Sequence, residues 1–132
     1  MNALEVKRLT KYYNKKEIVR DISLGVEQGQ LLAMLGPSGC GKTTTLRMIA
    51  GLETPDDGEI WIEGALANHG QKVMTSQKQR HIGMVFQDLA LWPHMTVYEN
   101  IEFGLKAHGL IRAERRKKID AVLHKVNMQN YA

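Results

Sequence analysis

A single cysteine, Cys40, is all the thiol the 132-residue chain possesses, so no internal disulfide can form and the sequence suits a reducing compartment such as the cytoplasm. Long apolar runs are missing too. The longest, residues 31–35, falls far short of the roughly 18 residues that suggest a membrane span. Residues 1–7 alternate apolar and polar side chains and lack the apolar core and cleavage site of a secretory signal. Aromatic residues make up only 6%, yet 43% hydrophobic and 24% charged residues is ordinary globular composition, which argues against disorder and bounds the chain at one domain. There is no internal repeat and no low-complexity segment.

Most of the chain also lacks a net charge. The formal +4 arises from Lys106 onward, where seven Lys or Arg face only Glu114 and Asp120, while the first 105 residues hold 11 positive and 12 negative side chains. Confined to one helical segment, the run Arg115-Arg116-Lys117-Lys118 reads as a solvated helix face, and no nucleic-acid partner is expected. His69, His81, His94, His108 and His124 show no metal-ligand spacing and read as structural or surface residues.

What is present is a change of pattern along the chain. Leu4, Val6 and Leu9 start an edge-like strand, and Ile18, Ile22, Leu24 and Val26 suggest a second after the polar turn Asn14-Lys15-Lys16, both antiparallel and half exposed. The continuous run 31–35 predicts a strand buried on both faces of a parallel sheet. Helix is predicted over 44–52, with Leu46, Ile49 and Ala50 on one side, ended by Gly51 and Pro55. A turn at 55–58, a short strand at 59–63, a polar stretch at 64–80 and a strand at 82–86 follow. Residues 88–96 are irregular, and helical spacing returns over 97–105 and 112–127, where Ile119, Val122, Leu123 and Val126 form one apolar stripe.

Between the run 31–35 and the helix stands Gly36-Pro37-Ser38-Gly39-Cys40-Gly41-Lys42-Thr43, the P-loop pattern in the strand-to-helix setting its chemistry needs. Glycines let consecutive amides point inward at phosphate oxygens, and the helix that follows adds the positive end of its dipole. Lys42 brings a full charge to the β and γ phosphates of ATP, and the Thr43 hydroxyl is a ligand for Mg²⁺. Cys40 has no base near it in sequence and reads as a small residue filling the loop.

Residues 36–53, continued by Gly58-Glu59-Ile60, resemble the nucleotide-binding subunits of ATP-binding cassette transporters nearly residue by residue. The segment 83–101 looks like that family's Q-loop and the start of its helical subdomain, closest to bacterial importer subunits. The resemblance implies an α/β fold: a P-loop NTPase core at 30–87, an antiparallel β-subdomain at 1–29 and the start of an α-helical subdomain at 88–132, the N-terminal part of the family's domain. It implies that Gly36, Ser38, Gly39, Cys40, Gly41, Lys42, Thr43 and Thr44 surround the ATP phosphates, and that Tyr13, with Tyr12 as the fallback, stacks on adenine. Gln87 matches the glutamine that reaches Mg²⁺ and the attacking water, and Trp92, Pro93, Met95 and Tyr98 match an apolar patch that receives a transmembrane permease subunit.

The resemblance further implies an ATPase peripheral on the inner face of the plasma membrane, closing on a second copy of itself. A Leu-Ser-Gly-Gly-Gln-like signature, an apolar strand ending in Asp with an adjacent Glu, and a switch His do not occur in the 132 residues. These residues alone are therefore expected to bind ATP without hydrolysing it. Two alternatives stand beside the importer reading: an inactive nucleotide-binding module, and a soluble cassette ATPase whose basic tail meets nucleic acid. The apolar segment after Gln87 favours a membrane partner. In the family's fold the strand that pairs beside 31–35 carries the missing carboxylates, so residues 31–35 are expected to be left open and the isolated chain to self-associate.

Overall fold

Apolar residues Val6, Leu9 and Val19 alternate with polar ones and build the hairpin of β1 (Asn2–Tyr13) and β2 (Lys16–Glu27). Asn14 and Lys15 close it with φ of 49° and 65°, a two-residue turn whose twist matches that of the strands. The computed structural model describes residues 2–88 and 91–131, which fall into two units dividing between Met84 and Val85.

In the first unit β3 (Asp57–Ile62), β4 (Ala65–His69) and β5 (Lys72–Val73) extend the hairpin to an antiparallel sheet ordered β2-β1-β3-β4-β5. β1 is thus an interior strand and not the edge its half-polar pattern suggested, because its second side pairs with β3, Val6 opposite Ile60. The stretch 64–80, read as polar and given no strand, supplies β4 and β5. Its turn Glu63-Gly64 again takes positive φ at both positions.

The helix α1 (Lys42–Ala50) begins two residues before the predicted start and ends at Gly51, whose φ of 79° lets its amide turn back to the Arg47 and Met48 carbonyls. Met48 and Ile49 pack on Val6, Leu9, Val19, Ile60 and Ala67 to form the core. Leu46, expected on that face, is exposed, and Thr45 takes the buried place. Residues 31–35 and 82–86 are not strands. Leu31 and Leu35 are 91% and 93% exposed and Val85 is 89% exposed. Backbone in a parallel sheet needs a partner on each side, and among the described residues no strand pairs with either segment.

In the second unit α2 (Val97–Ala107) opens on a reciprocal cap, Thr96 and Glu99 each accepting the other's amide at 3.2 and 2.8 Å. α3 (Arg112–Lys125) packs against it with Ile119 and Leu123 buried. Val122 and Val126 of the expected stripe are exposed, since the face that meets α2 is narrower than the sequence stripe. Leu89 and Ala90 of the irregular segment lie outside the described residues. No described helix is long and apolar enough to cross a membrane.

Candidate functional site

The loop 36–41 is shaped by its glycines at two points. Gly39 and Gly41 have φ of 79° and 90°, and a Cβ at Gly41 would lie 2.6 Å from the Ile18 carbonyl oxygen, so the loop rests directly on the β2 backbone. From there α1 starts with no side-chain cap and no acidic residue in its first turn, which leaves its leading amides to whatever anion approaches. Inside the helix Thr45 Oγ1 donates to the Gly41 carbonyl at 3.0 Å, which anchors the first turn from the buried side.

Lys42 folds back across the loop. Its Nζ donates to the carbonyls of Gly36 and Pro37, both at 2.7 Å, and to Cys40 Sγ at 3.3 Å. Among the described residues no carboxylate pairs with it. An ammonium held by two carbonyl oxygens and a sulfur, with no carboxylate on it, is available to an incoming anion, which fits a phosphate group at this position. Thr43 is exposed on the first turn and Thr44 half-buried. Beside the loop lies a cleft of about 370 Å³ whose walls include Ile18, Val19, Ile22, Met34 and Lys42.

Tyr13 ends β1 and is 39% exposed. Burial first, then hydrogen bonding to Glu53 and the charge of Glu53, push its phenol above the ordinary value, opposed by Lys11 and by the Thr44 hydroxyl. The phenol therefore lies among groups of α1 and the segment just after it. Tyr12 is exposed and its amide donates to Asp56 Oδ2 at 2.7 Å. Gly36, Ser38, Gly39, Cys40, Gly41, Lys42, Thr43, Thr44 and Tyr13 all belong to the first unit. Gln87 belongs to the second, exposed in a turn.

Also in the second unit, Trp92 packs on Phe103 with ring centroids 5.8 Å apart and on His94 at 6.0 Å. Asn100 holds the preceding loop by accepting the Trp92 amide at 2.9 Å and donating to the Trp92, Met95 and Thr96 carbonyls. Trp92 and Pro93 are exposed, Met95 and Tyr98 half-buried.

Sequence reading overlooked Arg80. It is 4% exposed, and its Nη1 donates to the Met48 and Ile49 carbonyls at 2.9 and 2.8 Å, covering the C-terminal end of α1. Nη2 donates to Asn68 Oδ1 and Nε to the Thr75 carbonyl. Burial lowers the Arg80 pKa, but guanidinium stays charged over the whole working range. The only sequence signal was a lone arginine closing a polar stretch, which is no signal without the coordinates.

An antiparallel sheet followed by a glycine-rich loop that leads into a helix is consistent with part of a P-loop NTPase fold. The chain belongs to the ABC transporter family, whose profile matches residues 19–132. It is 42% identical over 130 residues to the Fe(3+) ions import ATP-binding protein FbpC of Escherichia coli K12, covering 98% of this chain and 36% of that protein. It is 40% identical over 129 residues to the spermidine/putrescine import ATP-binding protein PotA of Pasteurella multocida, and 41% identical over 132 to the oligosaccharides import ATP-binding protein MsmX of Bacillus subtilis. These matches take in 98% and 99% of this chain, and 34% and 35% of those proteins. The chain thus spans about a third of the length of these relatives.

Among solved structures it is similar to cbiO1 of Clostridium perfringens, part of the ABC transporter complex cbiONQ, with a TM-score of 0.79 and 26% identity, covering 98% of this chain and 52% of that one. It is likewise similar to the ATP-binding cassette MJ0796, a dimer bound to ADP and Pi, with a TM-score of 0.76 and 28% identity over 92% of this chain and 56% of that one.

Proposed function

We propose that the chain binds ATP as part of the ATPase subunit of an ABC import system. The observation that carries this reading is the uncapped start of α1 facing a Lys42 ammonium that no carboxylate neutralises among the described residues. The phosphates would meet Lys42 and the amides of Gly36 and residues 38–44, with Ser38, Thr43 and Thr44 at the rim, and the base would meet Tyr13. In this reading Thr43 and Gln87 are the residues that would hold Mg²⁺, and Gln87 the one that would meet the attacking water. Bound Mg²⁺ supplies neutralisation of charge on the β and γ phosphate oxygens. In the whole protein hydrolysis drives solute import, with a permease on the patch at Trp92, Pro93, Met95 and Tyr98, a second copy across the nucleotide, and a place on the inner face of the membrane. Similarity to the import ATP-binding proteins FbpC, PotA and MsmX supports import, and similarity to cbiO1 of the cbiONQ complex and to the dimeric cassette MJ0796 supports the partners. By this reading the 132 residues bind nucleotide without turnover.

Equilibrium titration with ATP tests it. Lys42→Ala is expected to weaken binding by roughly ten- to hundredfold, the worth of charge-assisted bonds to phosphate, while Cys40→Ala changes little. Equal affinities for the two folded variants would remove the phosphate-loop assignment.

A further inference from the structure

Lys11 is buried in β1, and its ammonium is compensated by one short segment. Nζ donates to the Thr54 carbonyl at 2.6 Å and pairs with the Glu53 carboxylate at 3.2 Å and the Asp56 carboxylate at 3.8 Å. The same ammonium stands 5.5 Å from the centroid of the Tyr13 ring, within the range at which a cation is drawn to a π system. Asp56 adds two backbone ties, accepting the Tyr12 amide at 2.7 Å and donating its own amide to the Thr10 carbonyl at 2.9 Å. Residues 53–56 directly follow α1, whose opposite end carries Lys42 and Thr43. A buried amine paired only for stability has no need of an aromatic ring, and this one lies over the ring that ends the strand.

We propose that Lys11 is a positioning residue: clamped by Glu53, Thr54 and Asp56, it fixes the Tyr13 ring relative to the phosphate loop, so that a nucleotide base meets a ring already in place. This rests on the ATP-binding reading. It adds to that reading a link between the base platform and the end of α1, made by a side chain that itself touches no nucleotide.

The readout is the advantage of ATP over inorganic triphosphate, the ratio of their dissociation constants on the full chain. Loss of structure alone weakens both ligands together, whereas a misplaced ring weakens only ATP. Tyr13→Ala sets the floor, since a stacked base is worth roughly five- to hundredfold in affinity. Lys11→Met is expected to lower the advantage at least about threefold, with triphosphate binding kept within about twofold, and Lys11→Arg to recover part of it. In a Tyr13→Ala background Lys11→Met is expected to lower the ratio no further. Should Lys11→Met fail to fold, Asp56→Asn, which takes one carboxylate from Lys11 and leaves it on the Thr54 carbonyl, is read in the same way. An unchanged ratio, or an equal fall with and without Tyr13, overturns the proposal. Failure of the unaltered chain to bind triphosphate overturns the phosphate-loop reading and this one with it, so the two failures are told apart.

Discussion

Two residues decide whether α1 can stand where it does. Gly41 meets the Ile18 carbonyl oxygen with no room for a Cβ and holds a φ of 90°, so Gly41→Ala combines a clash with a left-handed backbone. It is expected to destabilise the fold by about 2–4 kcal/mol, against about 1 kcal/mol for Gly39→Ala, which has the same handedness but open space. Paired urea titrations measure the difference, and equal losses would show that the loop can lift off β2. At the other end Arg80 satisfies two α1 carbonyls and Asn68 from a buried position. Arg80→Met keeps much of the volume but strands those acceptors, an expected cost on the order of 2–4 kcal/mol, checked by the same titration.

The helices of the second unit are joined through Glu102, which pairs with Lys106 at 2.9 Å along α2 and with Arg115 at 3.0 Å across to α3. Arg115 Nη1 also donates to the Leu110 carbonyl at 2.6 Å, holding the connection between the helices. Hydrogen bonds from Lys106, then from Arg115, hold the Glu102 carboxyl below its ordinary value of 4.5. A carboxyl depressed in the folded state contributes stability that is present above the ordinary value and lost as pH falls through the folded one. Urea midpoints at pH 7 and pH 3 are therefore expected to differ more for the unaltered chain than for Glu102→Gln; identical differences would remove Glu102 from the acid response.

The elements that sequence marked well are those with local chemistry. The Asn14-Lys15 turn, the Gly51 stop and the glycine-lysine loop each depend on a few adjacent residues and stand where their spacing put them. β4 and β5 were missed because their strand character comes from neighbours: Asn68 is buried by pairing and by Arg80, and nothing in its own sequence window announces that. Tyr13 was marked by the family resemblance, while its partners Thr44 and Glu53 lie 31 and 40 residues away along the chain and were invisible until the chain was folded. Residues 31–35 show the converse, because apolarity reports a wish for burial and says nothing about the strand that must provide it.

That unmet burial sets the behaviour of the molecule as a whole. Leu31, Leu32 and Leu35 stand exposed in the first unit, outside any strand, with no charged residue among 31–35 to discourage a neighbouring chain. Unpaired amides and carbonyls beside such side chains are a template for strand addition. The isolated chain is therefore expected to associate as its concentration rises, and light scattering behind a sizing column follows the mass. Leu31→Lys places a charge on this segment away from the phosphate loop, and is expected to shift the population toward monomer while leaving ATP affinity unchanged. A monomer at all concentrations, unfolding in one cooperative transition by two probes, would show that residues 31–35 find cover within their own chain, and the open-edge account would have to be withdrawn.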